Sequence, residues 1–218
     1  KRGVKIFMTD KESLRLDELK QFEENLYNDE GCKLICGIDE AGRGPFAGPV
    51  AVGAVVMKRD SKLEWVNDSK KVTEKRREIL YDKIIEDSLA WSVQLVSQQE
   101  IDELNILQAT KKGVNLCVKD IINQLKEKPD VIIVDALKDI DTEGIDYISI
   151  IKGDAKCYSI SCASILAKVT RDRVMREWDE VYPQYGFAKN KGYGTAEHIN
   201  ALKQYGPCPL HRKTFITH

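Results

Sequence analysis

Between residues 9 and 29 the stretch TDKESLRLDELKQFEENLYND places Leu14, Leu16, Leu19, Phe22 and Leu26 at mostly helical spacing. Thr9 or Asp10 can cap its start, and Gly31 ends the pattern. This predicts a helical appendage within residues 1–32, ahead of a main domain over 33–218. KLICGID (33–39) and PVAVGAVVM (49–57) read as two strands joined by a Gly/Pro loop, which suggests a hairpin. A helix follows from about Thr73, then a third strand in AWSVQLVS (90–97), then a helical region from Gln98 to Lys128 with an interruption near Asn105. The run VIIVD (131–135) is short and continuously apolar, the pattern of a strand buried on both faces in a parallel arrangement. DYISIIKG (146–153) reads as a fifth strand, a helix runs from near Lys156 to Val181, and TAEHINALKQYG gives a last regular helix. Hairpin strands first, then strands alternating with helices, predict an α/β fold: a mixed five-stranded sheet flanked by helices, with a helical C-terminal part.

With 218 residues, 42% hydrophobic and 32% charged, the chain has the composition of an ordinary globular domain. The formal net charge of −1 gives no sign of a polyanionic partner, so any basic surface must be local. One such region begins at residue 183, where Lys189, Lys191, Lys203, Arg212 and Lys213 face a single acid, Glu197. The six cysteines form no C-x-x-C pair and read as free thiols. Together with an N-terminus unlike a signal and no apolar run long enough to span a bilayer, they predict a cytoplasmic protein without membrane contact.

The carboxylates change the picture. Asp39 and Glu40 close the first strand and Asp135 closes the fourth, so a sheet that sets those strands side by side gathers acids at one edge, where open α/β sheets form their sites. Asp172 lies four residues after Lys168, on the same helical face, and is the best candidate for a fourth member. Carboxylates that crowd together without His or Cys repel unless a hard divalent cation sits among them, which points to Mg²⁺ or Mn²⁺. Taken singly, each acid could equally be a turn residue, a cap or a solvated helix acid. Strand alternation also sends Asp39 and Glu40 to opposite faces, so both can serve one site only if the chain bends at Ala41-Gly42.

The loop that follows, GRGPFAG, contains Pro45, leads into a strand and has its third glycine one place late, which argues against a dinucleotide-binding turn opening a helix. A plain hairpin loop explains its glycines but not Arg43. GIDEAGRGPFAGPV, NDSKKVTEKRRE, VIIVDA, SISCASILAKVTRDRVM, NKGYGTAEH and GPCPLHRKTF, in that order, closely resemble the blocks of the ribonuclease HII family over residues 34 to 215. Gly42-Arg43-Gly44 favours this family over the related ribonuclease HIII. Cys162, in an alanine-rich stretch of the family pattern, and Thr214, where serine is usual, are small departures.

The resemblance implies a ribonuclease H-like fold and cleavage of RNA in RNA–DNA hybrids, including 5′ to a single ribonucleotide embedded in duplex DNA. It implies Asp39, Glu40, Asp135 and Asp172 as the acids binding two divalent ions, Mn²⁺ or Mg²⁺. It also implies substrate contacts from Gly42, Arg43 and Gly44 to the ribose 2′-hydroxyl, which RNA alone carries. Tyr193 matches the family tyrosine that packs on the sugar, and Ser164 and Lys168 match its phosphate-contacting pair, with Lys70 beside them. Without the resemblance, Tyr193 reads as a half-buried aromatic and Lys168 as a solvated lysine. The remaining expectations are a monomer and, as a partner to consider, a sliding clamp. His198 and His211, away from metal spacing, read as capping or packing residues.

Overall fold

The structure, a computed structural model, describes residues 9–216. Its centre is one five-stranded mixed sheet in the order β3-β2-β1-β4-β5. The strands are β1 (Ile35–Ala41), β2 (Val50–Met57), β3 (Ser88–Val96), β4 (Val131–Asp135) and β5 (Tyr147–Ile150). The expected hairpin is present, since β2 pairs antiparallel with β1 and β3 pairs antiparallel with β2. β4 runs parallel to both of its neighbours, which explains the unbroken apolar run VIIVD. The β1–β4 ladder ends at Ile38 opposite Val134, so Asp39 and Asp135 each stand one residue beyond the last pair.

Helix α1 (Asp10–Asp29) precedes the sheet, and α2 (Glu74–Asp87), capped by Thr73, connects β2 to β3. The interruption expected near Asn105 divides α3 (Gln98–Leu104) from α4 (Ile106–Leu125). Asn105 has φ +70, and its side-chain oxygen caps the second helix by accepting from Leu107 and Gln108 N–H. The fifth strand stops at Ile150, three residues earlier than expected, because the chain turns there into a 3₁₀ segment at Gly153–Ala155. The long helix α5 (Tyr158–Val181) therefore starts slightly later than Lys156. Three short helices, α6 (Phe187–Asn190), α7 (Ala196–Tyr205) and α8 (Lys213–Ile216), make up the C-terminal part.

Alternation along β1 and β4 divides the core. Cys36, Ile38, Ile132 and Val134 face α4, packing with Val114, Cys117, Val118 and Ile121. The odd-numbered positions face the opposite layer, where Ile35, Val131 and Ile133 meet Ile160 of α5 and Leu26 and Tyr27 of α1. Asp39 and Asp135 share this second parity, so both side chains leave the sheet towards α5. That helix lies unusually close. A Cβ on Gly37 would stand 2.4 Å from the Ser159 carbonyl carbon, and one on Gly53 would stand 2.4 Å from the Ala163 oxygen. Only glycine permits such an approach of helix to strand.

Helix α1 belongs to the same core. Leu16 and Leu19 pack in one cluster with Cys162, Ile165 and Val169 of α5, and Lys20 donates to the Arg59 and Ser61 carbonyls. The first turn of α5 has no side-chain cap of its own. Glu23 of α1 supplies one from 136 residues away, accepting from the Ser159 N–H at 2.8 Å and the Ser159 hydroxyl at 3.0 Å. Burial pushes the Glu23 carboxyl up to about 7, with the two Ser159 bonds opposing the shift. A carboxyl whose pKa rises on folding binds more protons in the native state, so its contribution to stability falls as pH climbs from about 4.5 to about 7. Across that window the loss is on the order of 3 kcal/mol. Glu23→Gln should therefore flatten the decline, and urea midpoints of both proteins between pH 5 and pH 8 measure it; parallel curves would refute the assignment.

Candidate active site

Three carboxylates converge beyond the carboxyl ends of β1 and β4. One oxygen from each of Asp39, Asp135 and Asp154 lies within 4.8 Å of the others. Asp39 is 5% exposed, and its oxygen accepts from the Glu40 N–H at 2.8 Å. Asp135 accepts from the Gly153 N–H at 2.8 Å, and this bond folds the segment after β5 back over the end of β4, delivering Asp154 to the group. Burial holds the Asp39 carboxyl well above the usual range, and the charges of Glu40 and Asp135 push the same way. Asp154 is raised by burial and then by Asp68 and Asp135. Such a cluster is strained by its own charge and is made only of hard oxygen donors.

The strand stays regular through Glu40, with Ala41 paired to Ala51, and turns only at Gly42, where φ is +94. Glu40 therefore lies outside the close trio, although its side chain lines the same cleft and lies 3.4 Å from Arg43. Burial raises its pKa, and Arg43 offsets part of the rise.

Asp172, expected from the sequence as the fourth acid, is not brought into the group. It is buried on α5, accepts from Lys168 at 2.7 Å, and lies 3.7 Å from Arg77. Arg77 in turn donates to the Ser69 and Val72 carbonyls, so Asp172 steadies the NDSKK segment and Lys168. The i,i+4 spacing to Lys168 is an ion pair; the acid that joins Asp39 and Asp135 is Asp154, which sequence reasoning misses. The signal for Asp154 is an acid just past an apolar strand, as for Asp135, obscured by extending the fifth strand through Gly153.

The expected contact residues are gathered as the sequence suggests. Gly42, Arg43, Gly44, Lys70, Ser164, Lys168 and Tyr193 line one cleft of about 230 Å³ together with Asp39, Glu40 and Asp135. Ser164 bonds the Ser69 hydroxyl at 2.9 Å, joining α5 to the NDSKK segment. Burial lowers the Lys70 ammonium, but Asp154, 3.8 Å away, and other nearby acids outweigh it and the net shift is upward. Tyr193 stands 45% exposed beside Gly44, where a Cβ would touch its ring at 3.8 Å.

What holds the Gly42–Pro49 loop has no counterpart in the sequence reading. Arg212, fully buried, donates to the Gly42, Arg43, Gly48 and Pro49 carbonyls at 2.6 to 3.2 Å. Arg171, also buried, donates to Ala47, Pro49 and Lys191 at 2.8 to 3.0 Å. Among the described residues neither guanidinium bonds a carboxylate; seven carbonyl bonds compensate the two charges. Burial, with the neighbouring Arg171, lowers Arg212 to about 9. A Cβ on Gly42 would fall 2.0 Å from the Arg171 side chain, which is a second reason for glycine there.

The family model described as Ribonuclease HII matches residues 36–218, which takes in every residue of this cleft. The chain belongs to the ribonuclease HII family. It is thus a ribonuclease H, an endonuclease acting on RNA in RNA–DNA hybrids, in a family that depends on divalent metal ions. It is 52% identical to the ribonuclease HII of Acetivibrio thermocellus over 206 residues, covering 94% of this chain and 78% of that protein. The crystal structure of ribonuclease H2 from Pyrococcus horikoshii is similar at a TM-score of 0.66 and 32% identity, over 84% of this chain and 93% of the other. The ribonuclease HII in the PCNA complex from Archaeoglobus fulgidus matches at a TM-score of 0.68 and 28% identity, over 85% and 96%. The ribonuclease H-like α/β fold expected from the resemblance is the fold observed. Among the described residues, no helix is long and apolar enough to cross a membrane.

Arg212→Gln removes a buried charge and leaves several loop carbonyls without donors, so it should destabilise the protein by roughly 3 kcal/mol. The same substitution should raise KM for hybrid substrate more than it lowers kcat. Urea unfolding and steady-state cleavage test both, and a surface-like loss of under about 0.5 kcal/mol would refute the clamp.

Proposed function

We propose that the chain nicks RNA–DNA hybrids and also duplex DNA on the 5′ side of a single embedded ribonucleotide, leaving a 3′-hydroxyl and a 5′-phosphate. The observation that carries this reading is the presence, in one cleft, of the acids and of the Gly42-Arg43-Gly44 loop with Tyr193. Asp39, Asp135 and Asp154, with Glu40 at the rim, fit two divalent cations by donor chemistry, either Mn²⁺ or Mg²⁺, since every available ligand is a carboxylate oxygen. Ions held there would supply Lewis acidity and a water of lowered pKa.

The chain's own groups do the rest. The Gly42 and Gly44 positions let the backbone come close to a ribose, and Arg43 offers its cation to the 2′-hydroxyl and the neighbouring phosphate. Tyr193 packs its exposed ring on the sugar. Lys168, aimed by Asp172, and Ser164 face the phosphate on the α5 side, and Lys70 covers the opposite wall. Of the five cations of the C-terminal segment, Lys191 and Arg212 are buried, so the exposed Lys189, Lys203 and Lys213 are the ones that follow the duplex, with affinity that weakens with salt. The reading includes action as a cytoplasmic monomer in ribonucleotide removal, supported by a cleft built within one chain and by cysteines that are all free. It also includes a sliding clamp as partner, supported by likeness to the Archaeoglobus protein in complex with PCNA.

The test is a labelled DNA duplex with one ribonucleotide, incubated with Mg²⁺, Mn²⁺ or EDTA beside an all-DNA control. One metal-dependent nick 5′ to the ribonucleotide is expected; cutting of the control would instead indicate a DNA nuclease. Asp39→Asn and Asp154→Asn should each lower kcat by roughly 10²–10³ while hybrid binding stays measurable. Asp172→Asn should leave Mn²⁺ affinity nearly unchanged and act on stability and KM instead; a loss of metal binding equal to that of Asp154→Asn would restore Asp172 as a ligand. Arg43→Ala should shrink the preference for ribonucleotide-containing duplex over hybrid-free DNA, measured as the ratio of kcat/KM values.

A further inference from the structure

His198 and His211 are both buried, at 0% and 3% exposure, and neither touches the cleft. Their Nε2 atoms lie 3.0 Å apart. His198 Nδ1 is 2.9 Å from the Tyr193 carbonyl, which only accepts, so that nitrogen carries the proton and Nε2 of the neutral ring is a bare acceptor. His211 Nε2 must then be the donor, which leaves its Nδ1 to accept, and the Cys208 N–H stands 2.9 Å from it. The Cys208 carbonyl is 3.2 Å from the same Nδ1, but a proton there would set two bare Nε2 lone pairs against each other. The rings are enclosed by aromatics, with Tyr185 edge-on to His211 at 4.9 Å and Phe187 edge-on to His198 at 5.4 Å. Burial lowers the pKa of both rings, that of His211 to about 4, so the neutral pair is the form at neutral pH.

We propose that this histidine pair is a positioning device for Tyr193: a proton-ordered chain running from Cys208 N–H through His211 and His198 to the Tyr193 carbonyl. Tyr193 is flanked by Gly192 and Gly194 and is close to half exposed, so packing alone does not set its direction. Its N–H donates to the Asn190 carbonyl at 2.9 Å and its carbonyl accepts from the Thr195 N–H at 2.8 Å as well as from His198; among the described residues the histidine chain is what ties it onward to His211 and Cys208. The next residue after His211 is Arg212, which holds the Gly42 and Arg43 carbonyls. Both halves of the recognition surface therefore hang from two consecutive residues. The proposal rests on the reading of Tyr193 as a sugar-packing residue.

Two measurements test it. Imidazole ¹⁵N NMR at pH 7 should show His198 protonated at Nδ1 and His211 at Nε2; the reverse tautomers, or an imidazolium on either ring, would overturn the chain. Cleavage kinetics on the single-ribonucleotide duplex should show His211→Ala lowering kcat/KM about tenfold. His211→Gln, which keeps an N–H donor, should recover most of the loss. In a Tyr193→Ala background, His211→Ala should cause almost no additional loss, and multiplicative losses would show that the histidines act elsewhere. Should His211→Ala not fold by thermal melting, His211→Leu takes its place in the cycle. Tyr193→Ala with no effect of its own would overturn the sugar-packing reading and the proposal with it, while the tautomers report on the chain independently.

Discussion

The close seating of α5 on β1 and β2 is the constraint from which the site follows. Gly37 and Gly53 leave no room between helix and strands, so the helix has one position and one rotation. From that single helix come Ser159, which meets Glu23; Ser164 and Lys168 in the cleft; Arg171, which grips the Gly42–Pro49 loop; and Asp172, which holds Lys168 and Arg77. A side chain on either glycine would lift the helix and displace all of these together.

The site separates its charges in an instructive way. Asp39, Asp135 and Asp154 are crowded against one another, and the carboxyl pKa values of Asp39 and Asp154 are raised. Among the described residues the two buried guanidiniums hydrogen-bond no acid and are satisfied by backbone carbonyls. Had Arg171 or Arg212 been paired with Asp39 or Asp135, the carboxylates would be neutralised by the protein and lost to metal binding. Carbonyl ligation of the arginines keeps the acid cluster and the loop clamp electrostatically apart.

Asp39 and Asp135 are legible in the sequence because each closes an apolar run, and a parallel pairing of those runs brings them level. The loop Gly42–Gly44 and Tyr193 are legible through family resemblance, since neither periodicity nor composition distinguishes them from an ordinary turn and an ordinary aromatic. Asp154 is hidden because its position depends on one backbone bond, Gly153 to Asp135, that no local pattern announces. Asp172 misleads for the opposite reason: its local relation to Lys168 is real but serves an ion pair. Arg171 carries no local signal, Arg212 reads as one more cation of the basic C-terminal segment, and the histidine pair reads as capping or packing residues, because what they bond is set by tertiary packing.

The bond from Arg212 to Gly42 spans 170 residues of chain. On a ribosome, the segment carrying Asp39, Asp135 and Asp154 is complete well before Arg212 emerges, and contacts of such long range form late. A nascent chain thus carries all three acids before the residue that pins the Gly42–Pro49 loop has been made. Arg212 thus works as a late latch: without it the Gly42–Pro49 loop would lose four carbonyl bonds, while the Gly153–Asp135 bond that seats Asp154 would keep both of its partners.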